Sequence, residues 1–98
     1  MTSIRFTKEA FLDIEDAALW YEHQRQGLSF DFELCLEVGI QEISRTPLAF
    51  QKKYKQVYVR FINRFPYGIH YIIKNDLITV IGVFHTSRSP KDWSSRIL

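Results

Sequence analysis

The sequence predicts an α+β domain in which a helical hairpin covers one face of a largely antiparallel sheet, in the order β-α-α-β-β-β. Three observations carry that expectation. Apolar residues recur every three or four positions through the first half of the chain, they alternate through residues 57–85, and Pro47 separates the two regimes. Grouped helices followed by grouped strands give α+β architecture rather than alternating α/β units. With 98 residues the chain is sized for one domain and one core, spanning 1–98.

Ser3 to Thr7 alternates polar and apolar side chains and reads as an opening strand. Thr7 is a helix cap, followed by Glu9 and Asp13 in the first turns, where the dipole favours acids. Ala10, Ile14, Ala17 and Tyr21, with Phe11 and Ala18 beside them, make one apolar helical face that ends near Arg25, where Gly27 is a C-cap. Ser29 is the expected cap of a second helix whose stripe is Phe32, Leu36, Gly39 and Ile43, widened by Leu28, Cys35 and Ile40. That helix stops near Thr46, ahead of Pro47. Residues 47–56 are expected to connect, and strands follow at about Val57–Ile62, Tyr67–Lys74 and Leu77–His85, the last two joined at Asn75-Asp76. Ser89 and Pro90 open a short terminal helical turn.

Composition narrows the class. With 46% hydrophobic and 24% charged residues the chain is ordinary globular protein, neither disordered nor fibrous. No apolar run approaches the ~20 residues of a membrane span, and the N-terminal region lacks a signal-peptide core, so a cytoplasmic protein with no membrane partner is expected. The single Cys35 makes neither an intrachain disulfide nor a zinc site, and no metal or cofactor is expected.

The net charge of +2 conceals an asymmetry. Residues 1–42 hold nine acids against three bases, a net of −6; residues 43–98 hold ten bases against two acids, a net of +8. Between Glu42 and Asp76 there is no acid, only Arg45, Lys52, Lys53, Lys55, Arg60, Arg64 and Lys74. The plain account is a pair of solvated faces; the functional one is a cationic strand surface that attracts an anionic partner. Counting back from a two-residue turn pairs Ile73 with Ile78, Tyr71 with Val80, Ile69 with Gly82 and Tyr67 with Phe84 on the helix side. The other face then holds His70, Ile81 and His85, is expected to be open, and is joined by Arg60.

The segments FTKEAFLDIEDAALWYE, ISRTP, VRFINRFPYGIHYII and VIGVFHTSRSPKDWSSR resemble the RelE/ParE superfamily of type II toxins over essentially the whole chain, nearest the ParE-like, plasmid-stabilisation subgroup. The resemblance implies this fold, growth arrest, and a cognate antitoxin held in a hetero-oligomer. ParE-like members inhibit DNA gyrase, and RelE-like members cleave mRNA on the ribosome; a third reading is a nontoxic interaction module.

RNA cleavage without metal needs an acid, a base and cationic donors for the phosphorane. The region where RelE-like members place a basic residue reads Phe65-Pro66-Tyr67, a departure from the nuclease pattern that Arg64 offsets in part. The nuclease reading would use His85, Arg60, Arg64 and Arg88, histidine being able to act as acid or base. The binding reading uses Lys52, Lys53, Lys55, Arg60, Arg64, Arg88, Trp93 and Arg96 against the target. Leu19, Trp20, Leu34, Arg60 and Arg64 are expected to meet an acidic, disordered antitoxin segment. Plainer roles stand beside these: His85 bonded to the Ser87–Ser89 backbone, His70 as a half-exposed sheet residue, and Trp93 as a tail anchor.

Overall fold

A computed structural model of the chain describes residues 3–89 together with 95 and 96. Its elements are β1 Ser3–Phe6, α1 Lys8–Gln24, α2 Leu28–Arg45, β2 Gln51–Tyr54, β3 Val57–Phe61, β4 Tyr67–Lys74 and β5 Leu77–His85. The strands form one sheet in the order β1-β5-β4-β3-β2, with β1 parallel to β5 and the other pairs antiparallel. The class and order expected from sequence hold, with one addition. The basic connection after Pro47 contains the edge strand β2, which turns into β3 through Lys55, at a φ of 45°. Gln51–Tyr54 has no apolar alternation, so its strand conformation comes from pairing with β3 rather than from pattern. The expected turn at Pro90–Trp93 lies outside the described residues.

Local chemistry explains the helices. The Thr7 hydroxyl accepts from the Ala10 amide at 3.1 Å and caps α1. At the α1–α2 corner Gly27, with a φ of 88°, is the N-cap residue of α2, and Ser29 lies within its first turn. The expected Ser29 cap is replaced by Glu22, reaching over from α1. Its carboxylate accepts from the Gly27 amide at 3.0 Å, from the Ser29 amide at 3.2 Å and from the Ser29 hydroxyl at 2.7 Å. A helix start leaves amides without intrahelical partners, and one carboxylate of the preceding helix satisfies two of them. Those bonds hold the Glu22 carboxyl below its ordinary pKa.

Between the helices and the sheet lie Ala10, Ala17, Tyr21, Phe32, Leu36 and Ile43 on one side and Ile69, Tyr71, Ile78, Val80 and Val83 on the other. Tyr21, Phe32, Phe65 and Tyr67 form an aromatic cluster, with Tyr21 and Phe65 centroids 4.9 Å apart and Phe32 and Tyr67 centroids 5.3 Å apart. Such ring pairs add about 0.5–1.5 kcal/mol beyond their burial.

The register holds as counted from the turn only to Tyr71. Ile73 pairs with Ile78 and Tyr71 with Val80, but His70 then pairs with Gly82 and Ile69 with Val83, leaving Ile81 as an extra residue. A β-bulge shifts every later side chain to the other face. Val83 and His85 therefore join Ile69 and Tyr67 on the helix side, while Phe84 moves to the far face with His70. This reverses the placements expected for Phe84 and His85. A Cβ at Gly82 would collide with the Phe84 ring and stand 3.2 Å from Arg96 Nη1, so the bulge requires the bare glycine there.

The far face is not open. Val57, Val59, His70, Thr79, Ile81 and Phe84 are all buried. Arg96 returns to this side, its guanidinium 4.7 Å from the Phe84 ring centroid.

Arg60 is the second correction. It pairs with Ile69, so its side chain points under α2, where it is 6% exposed, ion-paired to Glu42 and bonded to the Phe61 carbonyl at 2.6 Å. Gly39 makes room for it: a Cβ there would sit 3.2 Å from Arg60 Nη1 and 2.8 Å from Ile69 Cδ1. The alternation had placed Arg60 with His70 because it ignored which partner of β4 each residue meets.

Removing one partner of a buried ion pair costs most when the charge left behind is the more buried one, and the Arg60 side chain is 7% exposed against 36% for Glu42. Glu42→Ala, which strands the guanidinium, is expected to cost about 2–4 kcal/mol, the lower end reflecting the half-solvated carboxylate. Arg60→Met is expected to cost less. Thermal unfolding of the two variants measures the order, with about 4–8 °C per kcal/mol in a domain of this size.

Candidate partner-binding surfaces

What remains exposed falls into distinct regions. The first is the β2–β3 edge. Lys52, Lys53 and Lys55 are exposed, and Arg64, at a φ of 70°, is exposed in the β3–β4 connection. Lys52 Nζ stands 5.4 Å from the Tyr58 ring centroid and Lys53 Nζ 5.7 Å from that of Phe61. The ion pairs among the described residues are Arg25–Asp31, Arg60–Glu42 and Arg96–Asp13, so none of these four cations meets a carboxylate there. Phe61 is 51% exposed beside them. It borders a hollow of about 420 Å³ whose other walls include Phe50, Val59, Arg60 and Asn63.

The second is a cleft of about 230 Å³ between α1 and the end of β5, lined by Asp13, Asp16, Trp20, Tyr67, His85 and Arg88. The bulge delivers His85 to it. His85 Nδ1 accepts from the Ser87 amide at 3.0 Å, and the ring packs edge-on to Tyr67. This cleft unites two of the four residues of the nuclease reading, His85 and Arg88, without Arg60 or Arg64. It also places two carboxylates beside them.

The third surrounds Arg96, which is committed internally. Its two terminal nitrogens donate to the Asp13 carboxylate at 2.9 and 3.1 Å, and Nη1 also donates to the Ile81 carbonyl at 3.1 Å. Asp13 accepts in addition from the Val83 amide at 3.0 Å. The Asp13 bonds and Asp13's charge keep the guanidinium protonated beyond its ordinary range. Next to this pair Tyr54 Oη lies 2.9 Å from His70 Nδ1. Burial pushes the Tyr54 hydroxyl up to about 12 and the His70 imidazole down to about 4. His70 is thus a neutral internal group.

The fourth is the outer groove of the helical hairpin, made of two adjoining hollows of about 410 and 420 Å³ that share Ile14, Glu15 and Glu33. Its floor is apolar, with Phe11, Leu19 and Ile40 among its walls, and its rim carries Glu15, Glu22, Glu33 and Glu37. Phe11 and Leu19 are 55% and 59% exposed.

With this geometry in view, the chain was compared with known proteins. Residues 4–90 match the family model of the ParE toxin of the type II toxin-antitoxin system, parDE. The chain belongs to the ParE toxin family. A solved chain of the chromosomal ParDE TA system from P. aeruginosa superposes with a TM-score of 0.71, covering 87% of this chain and 96% of that one at 12% identity. That likeness concerns the fold. No match was found among curated protein sequences.

Within this ParE-family chain the residues singled out from sequence divide by accessibility. Lys52, Lys53, Lys55 and Arg64 share the exposed β2–β3 side, and His85 and Arg88 share the α1 cleft, whereas Arg60 and Arg96 are internal. Trp93 lies outside the described residues. Leu19 lines the hairpin groove, Trp20 lines the α1 cleft instead, and Leu34 is exposed but lines neither. Sequence reasoning missed Phe61 and the acidic rim. The signal for the rim was present: Glu15 and Glu22 stand seven apart on one face of α1, and Glu33 and Glu37 four apart in α2.

His70 has a measurable consequence. The unfolded imidazole protonates near 6.5, whereas the buried ring stays neutral down to about 4. The stability of the neutral ring is therefore whole above 6.5 and is lost as the pH falls toward 4. Urea unfolding across that window should show wild type losing on the order of 3 kcal/mol more than His70→Gln, which does not titrate. Parallel losses in the two proteins would exclude a buried neutral His70.

Proposed function

We propose that this chain is the growth-arresting toxin of a type II pair, that it acts in the cytoplasm by binding DNA gyrase, and that a cognate antitoxin neutralises it. The observation that carries the binding reading over RNA cleavage is the withdrawal of Arg60 from the surface onto Glu42. A phosphorane needs cationic donors beside its acid and base. Here the His85–Arg88 cleft contains Asp16, whose charge disfavours a phosphodiester, while the charge of Asp13 is taken up by Arg96. The accessible cluster of Lys52, Lys53, Lys55 and Arg64 stands beside the exposed Phe61 ring and away from His85, which suits contact rather than proton transfer.

The antitoxin surface on this reading is the hairpin groove. Its apolar floor and glutamate rim favour an amphipathic segment whose polar positions are basic, the reverse of the acidic segment expected from sequence. The acids expected to meet Arg60 have no access to it.

Induced expression should arrest growth and abolish gyrase supercoiling while translated messages stay intact by primer extension. His85→Ala should remain fully toxic; loss of toxicity together with mRNA cleavage by wild type would favour the nuclease instead. For the antitoxin, the chain co-expressed with the product of the adjacent small open reading frame should copurify with it. Leu19→Arg, a change at an exposed position, should weaken that complex at least tenfold, since truncation of an apolar anchor typically costs more than about 1 kcal/mol and the added charge repels a basic partner. Unchanged affinity by titration calorimetry would remove the groove from the interface.

A further inference from the structure

Among the described residues the sheet ends at β2, which pairs there with β3 on one side only. We propose that this free edge is the seat for an extended acidic segment of the toxin's target protein, which adds as a sixth strand and places one apolar side chain in the hollow beside Phe61. The inference rests on the binding reading above and names the chemistry of what is bound.

Three independent features converge there. First, an unpaired strand edge offers main-chain donors and acceptors in the pattern that an incoming strand satisfies. Second, lysine guards that edge on both faces: Lys52 leans toward the Tyr58 ring, Lys53 toward the Phe61 ring, and Lys55 occupies the turn. Lysines on an edge strand repel another copy of the same edge. An acidic strand meets the opposite condition, because its carboxylates find cations that meet no carboxylate among the described residues. The guard is thereby also a selector.

Third, the hollow of about 420 Å³ lies directly beside the strand, walled by Phe50, Val59 and Phe61. Arg60 also borders it, but with its charge satisfied by Glu42 it contributes stem and ring contact rather than an open cation, its guanidinium being 5.9 Å from the Phe50 centroid. A pocket of that kind takes an apolar side chain, and strand alternation then turns the acids to the other face, where Lys52 stands over Tyr58. A single-stranded nucleic acid would use the same cations and the Phe61 face but leave the main-chain edge unused. The glutamate-rimmed groove of the helices excludes an acidic segment, so the two surfaces select partners of opposite charge. That separation assigns the acidic strand to the target and the groove to the antitoxin.

The test uses the full chain with three fluorescein-labelled probes: a seven-residue peptide of alternating Glu and Val, its Lys-Val counterpart, and a twelve-nucleotide oligothymidylate. The Glu-Val peptide is expected to bind, to slow amide exchange across Gln51–Tyr54, and to lose at least tenfold in affinity with Lys52→Glu or Phe61→Ala. Both positions are exposed, so the fold is retained, and both variants should cease to arrest growth while still copurifying with the antitoxin. Preference for the oligonucleotide with the same sensitivity to both variants would overturn the proposal in favour of nucleic acid. Exchange protection on the helices instead of β2, or undiminished growth arrest by both variants, would also overturn it. If wild type does not arrest growth at all, the toxin reading fails, and peptide binding with β2 protection still decides the edge.

Discussion

The additional residue in β5, Ile81, is the constraint on which the arrangement of this molecule depends. Strand side chains alternate with a period of two, so one inserted residue exchanges the two faces for everything after it. Before the bulge, Ile78 and Val80 feed the core under the helices. After it, Val83 continues that core, His85 turns toward α1, and Phe84 turns away to the far face. The bulge also lies where β1 has ended, since β1 pairs with β5 only through Val80. Asp13 of α1 takes over at that point, accepting the Val83 amide and the Arg96 guanidinium together. One carboxylate thus closes the strand edge and returns Arg96 to Phe84, beside the buried His70–Tyr54 pair.

The bulge and the placement of Arg60 together decide what is left on the surface. A sheet with an open cationic face would have been a single broad platform. Instead, the far face is buried, Arg60 lies beneath α2, and Lys52, Lys53, Lys55 and Arg64 stay accessible together on one side of the sheet, with Arg88 apart in the α1 cleft. Glu15 and Glu22 of α1 and Glu33 and Glu37 of α2 rim an apolar groove on the helical side. Segregated charge gives each side a different preference in partner, which raises encounter rates with the right one and suppresses the wrong one. On the function proposed above, this would be a physical basis for engaging antitoxin and target without using one surface for both.

Much of the fold was legible in the chain. The Thr7 cap, the stop at Pro47, the Asn75-Asp76 turn and the apolar stripes all act within a few residues, so spacing and side-chain chemistry reveal them. Ser29 was misjudged as a cap because Glu22 is seven residues away and on another helix. The β2 strand was illegible because four residues rich in lysine and glutamine carry no strand signal until β3 lies beside them.

The site divides in the same way. The amino-acid sequence by itself determined the element order and the separation of acid from base along the chain, because these are properties of composition and short-range pattern, and its motif segments carried the family resemblance. Only the tertiary structure decided that Arg60 and Arg96 are internal, that His85 faces α1, and that Phe61 stands exposed beside Lys53. Each of those outcomes depends on pairing between distant segments. A single bulge or a facing carboxylate changes it without leaving any periodicity to read.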